Sequence, residues 1–326
     1  MKKVLVTGAG GFIGSHLTEE LVKKGYQVRA FVRYNSRNNW GHLESLDKSI
    51  LDHIEIMSGD ITDPFFVDKA VEGTDAVFHL AALIAIPYSY VAPENFVNVN
   101  INGTLNILKA ALHHNVTRVV HTSTSETYGT ALYTPINELH PLQAQSPYAA
   151  TKIGADKLAE SFHLSFGLPV SIVRPFNTYG PRQSARAIIP TLISQILSEQ
   201  NFIKVGSLHP VRDFTFVKDT VNGFISAAMA EGSIGKVTNL GSGSGISIGD
   251  LAKKIKIILG KEKDIVVDDQ RIRPENSEVL KLICDNAMAK NILGWSPAYS
   301  IDEGLRITID YIKGNLKYYK TNIYNI

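Results

Sequence analysis

The segment from Val4 to Gly14 constrains the fold of this chain more than any other. Val4-Leu5-Val6 reads as a short buried strand, Thr7-Gly8-Ala9-Gly10-Gly11-Phe12-Ile13-Gly14 as a turn, and the spacing of Leu17, Leu21 and Val22 as a helix. A glycine triplet alone is often only a loop, but between a first strand and a first helix it makes a dinucleotide site. Gly8 permits the tight turn, Gly11 lets the backbone approach a pyrophosphate, and Gly14 lets the helix pack against the sheet. The diphosphate then sits at the helix N-terminus. Phe12 and Ile13, opening that helix, are expected beside the same ligand.

Strand patterns recur at about 3–7, 28–33, 54–58, 75–80, 117–123 and 169–174, with helical patterns filling most of the gaps. Such alternation implies an α/β fold, a Rossmann-type doubly wound parallel sheet whose ligand cleft lies beyond the carboxyl ends of the strands. The glycine turn, Ala81, Ser123 to Glu126 and Asn177 all fall at those ends. After Pro175 the pattern changes to a polar loop at 180–186, a helix near 187–199, and short elements broken by Gly206, Pro210, Gly232 and Gly235. This predicts a smaller C-terminal α/β domain for the substrate. The tail from Lys313 to Ile326, with Tyr318, Tyr319 and Tyr324 among lysines, is expected to be a frayed or surface segment.

The chain has 326 residues, 44% hydrophobic and 20% charged, enough for a large core, and its net charge of +2 demands neither nucleic acid nor membrane as partner. No apolar run reaches the length of a membrane span, and the first residues enter a strand with no signal peptide. A single cysteine, Cys284, excludes an internal disulfide and suits a reducing cytoplasm, where it is expected as a buried small hydrophobe. The ten histidines show no metal-ligand spacing. His113-His114 stands at an expected helix end, and no metal site is expected.

The chemistry concentrates in Thr122-Ser123-Thr124-Ser125-Glu126-Thr127-Tyr128-Gly129, followed by Tyr148 and Lys152. A tyrosine four residues before a lysine on a helix shares one face with it. There an ammonium and a cationic nicotinamide are expected to depress the phenol's pKa until it works as a base. Thr124 would share the proton of a substrate hydroxyl. Glu126, two residues along an extended segment, lies on the same side and is free to take a proton from an adjacent carbon. Hydride transfer needs no such carboxylate, so the pattern points to elimination.

Gly8, Gly11 and Gly14, Leu80-Ala81-Ala82, Tyr148 with Lys152, and Arg174-Pro175-Phe176-Asn177-Thr178-Tyr179-Gly180-Pro181 together resemble the extended short-chain dehydrogenase/reductases that act on nucleotide sugars. The resemblance runs over nearly the whole chain. Ser123-Thr124-Ser125-Glu126 is similar to the dehydratase branch, most like GDP-mannose 4,6-dehydratase in placing Ser between Thr and Glu. Pro181-Arg182-Gln183-Ser184-Ala185-Arg186 and Arg273-Pro274-Glu275-Asn276-Ser277-Glu278 resemble the N-acetylglucosamine-nucleotide 4,6-dehydratases of legionaminic-type pathways. The dTDP-glucose dehydratases carry Asp where Ser125 stands here. That leaves two candidates for protonating the leaving hydroxyl, Glu126 itself or a water held by Ser125.

The resemblance implies a cofactor-binding domain of residues 1–177 with a return segment at about 215–242, and a nucleotide-sugar domain of 178–214 and 243–326. Cofactor choice should be set after the second strand, where an acid would bond the ribose of NAD. No Asp or Glu occurs between Gln27 and His42; Arg33, Ser36 and Arg37 stand there instead and favour NADP, with NAD possible. Asp60 and Ile61 resemble the adenine-contacting pair, although Asp60 also reads as a cap for the helix beginning near Asp63. Leu80, Ala81 and Ala82 complete the expected cofactor wall. Asn177, Arg212 and Arg273 resemble substrate-binding positions, the arginines for a diphosphate, and Arg182 and Arg186 are candidates on the loop beside them. Helices near 94–112 and 149–166 imply a shared bundle in a homodimer or homotetramer.

The implied reaction begins with Tyr148, helped by Thr124, taking the proton of the sugar's 4-hydroxyl as C4 is oxidised, while Lys152 holds the ribose and the phenolate charge. Glu126 then removes the C5 proton, water leaves from C6, and hydride returns there. The expected substrate is GDP- or UDP-N-acetylglucosamine, then GDP-mannose. A UDP-glucuronate decarboxylase, a 4-epimerase and a catalytically silent nucleotide-sugar or NADP sensor are the rival readings.

Overall fold

The computed structural model describes residues 1–321. Six strands come first: β1 (Lys3–Thr7), β2 (Gln27–Arg33), β3 (Ile54–Gly59), β4 (Ala76–His79), β5 (Arg118–Thr122) and β6 (Val170–Pro175). Seven follow: β7 (Asn177–Tyr179), β8 (Phe202–Val205), β9 (Val211–Phe216), β10 (Val237–Leu240), β11 (Gly245–Ser247), β12 (Asp264–Val267) and β13 (Lys281–Leu282). The large sheet is parallel throughout, in the order β10-β6-β5-β4-β1-β2-β3. The chain leaves β1 toward β2 and β3, then reverses to lay β4 on the other side of β1. That reversal opens the crevice in which doubly wound sheets bind ligands.

Both faces of the sheet are buried, and successive residues serve opposite faces. Val4, Val6, Phe78 and Val120 pack with Leu17 and Leu21 of the helix Phe12–Lys23. Leu5, Val77, Val119 and Ile172 pack on the other side with Val67, Ile107 and Leu108. Gly8 has a φ of +69°, and a Cβ there would lie 2.9 Å from the Ala81 nitrogen, so the turn and the chain beyond β4 approach as only glycine allows. A side chain at Gly14 would collide with the Gly8 carbonyl.

After β6 the chain enters a second, smaller sheet, where β7, β11 and β13 all pair with β9, while β8 pairs with β12. Between the two sheets the path returns once. The helix Val217–Met229 packs on the helix Phe12–Lys23, and β10 adds to the edge of the large sheet beside β6. Cys284 is buried and its thiol pKa is raised by that burial.

Two expected elements differ in detail. The helix expected over 94–112 is interrupted: Pro93–Phe96 leads into π-helix at Val97–Asn102, and Gly103–His113 continues. The wider turn carries Asn100 inward, where it bonds the Leu83 nitrogen at 2.8 Å, the Leu83 oxygen at 3.0 Å and Thr151 Oγ1 at 3.0 Å. The tail packs further than its polarity suggests. The helix Ile301–Asn315, held by a Ser300/Glu303 capping box, runs on to Tyr319, whose hydroxyl donates to the Gln183 carbonyl at 3.1 Å. Tyr324 lies outside the described residues. His113 and His114 do more than face a helix end, since both rings reach Asp68 Oδ1 at 3.0 Å on the helix Pro64–Val71. Among the described residues no helix is long and apolar enough to cross a membrane.

Candidate active site

A cleft of about 590 Å³ runs along the carboxyl ends of the strands. It is lined by Gly8, Gly11, Phe12, Ile13, Gly14, Arg33, Leu80, Ala81, Ala82, Thr124, Ser125, Glu126, Tyr148, Lys152 and Asn177. A second cavity of about 340 Å³ opens toward the smaller sheet and takes in Arg186, Lys204, Arg212, Arg273 and Glu278. Glu126, Asn177, Thr178 and Gln183 line both, so the candidate base stands at the junction. A third hollow of about 480 Å³ behind the glycine turn holds Arg33, Asp60, Ile61, Ala81 and Ala82.

The segment carrying the chemistry is extended only as far as Thr124. Ser125–Tyr128 is a turn of 3-10 helix capped by Thr124, whose Oγ1 accepts from the Glu126 nitrogen at 3.3 Å, while Thr127 Oγ1 donates to the Thr124 carbonyl at 2.7 Å. The expectation that Glu126 continues an extended strand is therefore corrected, because the hydroxyls at 124 and 127 compete for the backbone and curl it. Glu126 nevertheless faces the cleft with Thr124.

Tyr148 and Lys152 are buried on the helix Pro147–Phe166, which begins at Ser146 with a side-chain cap on the Ala149 nitrogen. Burial pushes the Tyr148 phenol up, the Thr124 hydroxyl opposes this, and Glu126 and Asp156 add to the rise. Burial lowers Lys152 to about 8, with Asp156 opposing. The expected depression of the phenol is thus not supplied by the protein alone, because burial outweighs the Thr124 hydroxyl; Lys152 Nζ donates to the Thr122 carbonyl at 2.5 Å. The tight glycine turn, which backbone contacts at Gly8 and Gly14 hold against the chain beyond β4 and against itself, together with the buried amine in the same cleft, fits a nicotinamide dinucleotide.

The remaining expected residues fall into three groups. Arg33 lines the cleft at the end of β2, but Ser36 and Arg37 are exposed and do not line it. Asn35 organises that loop, accepting from the Arg37 and Asn39 nitrogens at 3.1 Å each, and Asn35, Asn39 and Trp40 line the cleft. Asp60 accepts from the Thr62 nitrogen and hydroxyl, whereas Asp63 caps the next helix through the Phe65 nitrogen, which removes the cap reading of Asp60. Arg182, at a φ of +68°, pairs with Glu19 at 2.7 Å and reaches Ser15, so it is drawn onto the first helix and away from both cavities. Arg186 lines the second cavity with its guanidinium near Ser184. Arg212 pairs with Glu278 at 3.3 Å, and Arg273 Nη1 stands 3.9 Å from Glu126 Oε2. Gln183, to which the sequence assigns no role within the segment 181–186, lines both cavities, and nothing in its local pattern marks their meeting there.

The family model described as GDP-mannose 4,6 dehydratase matches residues 5–308. The chain belongs to this family. The chain is similar to a dTDP-glucose 4,6-dehydratase of Streptomyces antibioticus, 33% identical over 96% of this chain and 92% of that one. The dTDP-glucose 4,6-dehydratase DesIV of Streptomyces venezuelae, solved with NAD and TYD bound, superposes with a TM-score of 0.88 at 28% identity, covering 98% of this chain and 99% of that one. A UDP-glucuronic acid 4-epimerase of Bacillus cereus, solved with NAD, superposes at 0.87 and 30% identity, covering 96% and 99%. The fold is that of the extended short-chain dehydrogenase/reductases, and the chain is an enzyme of the nucleotide-sugar dehydratase and epimerase class.

Proposed function

We propose that this enzyme is a nucleotide-sugar 4,6-dehydratase acting on GDP- or UDP-N-acetylglucosamine, with GDP-mannose next. The reading is carried by Glu126, a carboxylate at the junction of the cofactor cleft and the basic cavity, beside Thr124 and Tyr148. A sugar at the junction would place its reacting carbons against these three groups. Its diphosphate would lie among Arg212, Arg273 and Arg186, whose guanidinia suit phosphate oxygens. The bound dinucleotide supplies the reversible hydride acceptor. Tyr148 takes the proton of the 4-hydroxyl with Thr124 relaying it, and Lys152 carries the balancing positive charge. Once C4 is a carbonyl, the C5 proton is acidified. Glu126 removes it, the C6 hydroxyl departs as water after accepting a proton from Glu126 or from water held at Ser125, and the hydride taken from C4 returns to C6 as a proton returns to C5.

NADP is the cofactor this reading favours, since Arg33 lines the cleft where an acid would bond the ribose of NAD. The Arg273 guanidinium near Glu126 supports one second reading, a decarboxylase in which that arginine holds a C6 carboxylate. Incubation with a panel of nucleotide sugars and mass measurement of the products separates the cases. Loss of water supports the dehydratase, loss of carbon dioxide the decarboxylase, and unchanged mass with a new stereoisomer an epimerase.

A further inference from the structure

The helix Pro147–Phe166 places Tyr148, Lys152 and Asp156 one turn apart on the face it lays against the end of β5. Each grips a different residue there. Tyr148 meets the Thr124 hydroxyl, Lys152 Nζ donates to the Thr122 carbonyl at 2.5 Å, and Asp156 Oδ2 accepts from Ser123 Oγ at 2.6 Å. Asp156 is 2% exposed and does not line the cleft.

Its carboxylate is the centre of a buried network. Arg174 of β6 donates to Asp156 Oδ2 from Nη2 at 2.9 Å and from Nε at 3.3 Å, and His121 Nε2 of β5 stands 3.2 Å from Oδ1. Arg174 Nη1 continues to the Tyr128 hydroxyl at 3.1 Å, which donates to Asn239 Oδ1 of β10 at 2.8 Å. His121 Nδ1 is buried with no partner, so a charged ring would strand an N–H, and burial accordingly lowers its pKa. The ring is therefore neutral with its proton on Nε2, aimed at Asp156. Burial opposes the Asp156 charge, but His121, Arg174 and Ser123 hold its pKa down to about 2. A buried ion pair is weak evidence of stabilisation, since apolar replacements often serve as well. Its retention beneath the reacting groups calls for another role.

We propose that Asp156 is a positioning residue for the chemistry of Thr124, Tyr148 and Lys152: through Ser123 it sets the strand end from which Thr124 projects, and it is the anion that keeps the Lys152 amine charged. The inference rests on the roles assigned above to Tyr148 and Lys152. The groups facing Lys152 are His79 from β4, His121 from β5 and Asp156 on its own helix, with Tyr148 one turn before it and Arg174 from β6 bonded to Asp156. The two histidines have lowered pKa values from burial and the phenol a raised one, so all three are neutral, and Arg174 is cationic. Asp156 is then the one negative group in that set.

Two variants test it. Asp156→Asn removes the anion, so the alkaline limb of kcat against pH should move to lower pH by about one unit, the scale of losing one neighbouring charge. Ser123→Ala leaves Asp156 paired with Arg174 but removes the side-chain bond between Asp156 and the strand end. Reduction of bound cofactor in a single turnover should slow roughly tenfold or more, as small misplacements do, with the dissociation constant for cofactor unchanged. An unmoved limb in folded Asp156→Asn, or a parental reduction rate in Ser123→Ala, overturns the proposal. If Asp156→Asn does not fold, Ser123→Ala decides alone. Failure of the unaltered enzyme to reduce cofactor with any nucleotide sugar would instead overturn the underlying assignment of Tyr148 and Lys152.

Discussion

Glu126 and Arg273 face each other where the two cavities meet, the carboxylate 3.9 Å from the guanidinium. One belongs to the segment after β5 and the other to the chain between β12 and β13, so the two charges that meet at the junction are supplied by different sheets. Oxidation at C4 has no need of Glu126, whereas proton removal at C5 does. In Glu126→Gln, dehydration should fall at least about a hundredfold, the usual cost of losing a general base, while reduced cofactor still accumulates on adding substrate. Tyr148→Phe should lose both signals. Water release and deuterium exchange at C5 continuing at the parental rate in Glu126→Gln would remove the carboxylate from the mechanism.

The proposed preference for NADP is tested at Arg33, since Ser36 and Arg37 are exposed and do not line the cleft. Arg33→Asp places a negative charge beside the 2′-phosphate position and should weaken NADP binding by about 2 kcal/mol or more, the scale of breaking one charged hydrogen-bonded pair. NAD should then bind as well or better. Calorimetric dissociation constants for both nucleotides check this, and tighter binding of NAD by the unaltered enzyme would refute the preference.

The pH dependence follows from Lys152. Burial brings its pKa down to about 8, with Asp156 opposing, so the amine is charged below that value and neutral above it. Activity that depends on the ammonium should fall as pH rises through about 8. A kcat profile that stays level to about pH 10, near the value of an unperturbed lysine, would show that the charge is not required.

The large sheet was legible because its strands carry apolar runs, and the glycine turn because Gly8 and Gly14 fill roles no other residue can. Three features were not. The curl at Ser125–Tyr128 arises from hydroxyl bonds of Thr124 and Thr127 that compete with the extended backbone, and a run of β-formers hides it. Arg182 was placed among substrate residues, yet Glu19, more than a hundred and sixty positions earlier, captures it. The Asp156 network joins a helix to three separate strands, and neither helical spacing nor strand alternation marks a contact of that range.

Assembly is the last test. The helix Pro147–Phe166 leaves Leu164 and Phe166 exposed, and the neighbouring segment exposes Val91 and Val97. Large apolar side chains left exposed on both elements favour a second copy of the chain over water, and a two-fold axis would bring both helices of each copy together. Sedimentation at micromolar concentration, an order-of-magnitude range for specific association, should report a dimer or a pair of dimers. Leu164→Glu, which sets a charge on that face, should shift the population toward the 35.8 kDa monomer while leaving the fold intact by circular dichroism. A unaltered protein that sediments only as a monomer would show that these helices close no interface.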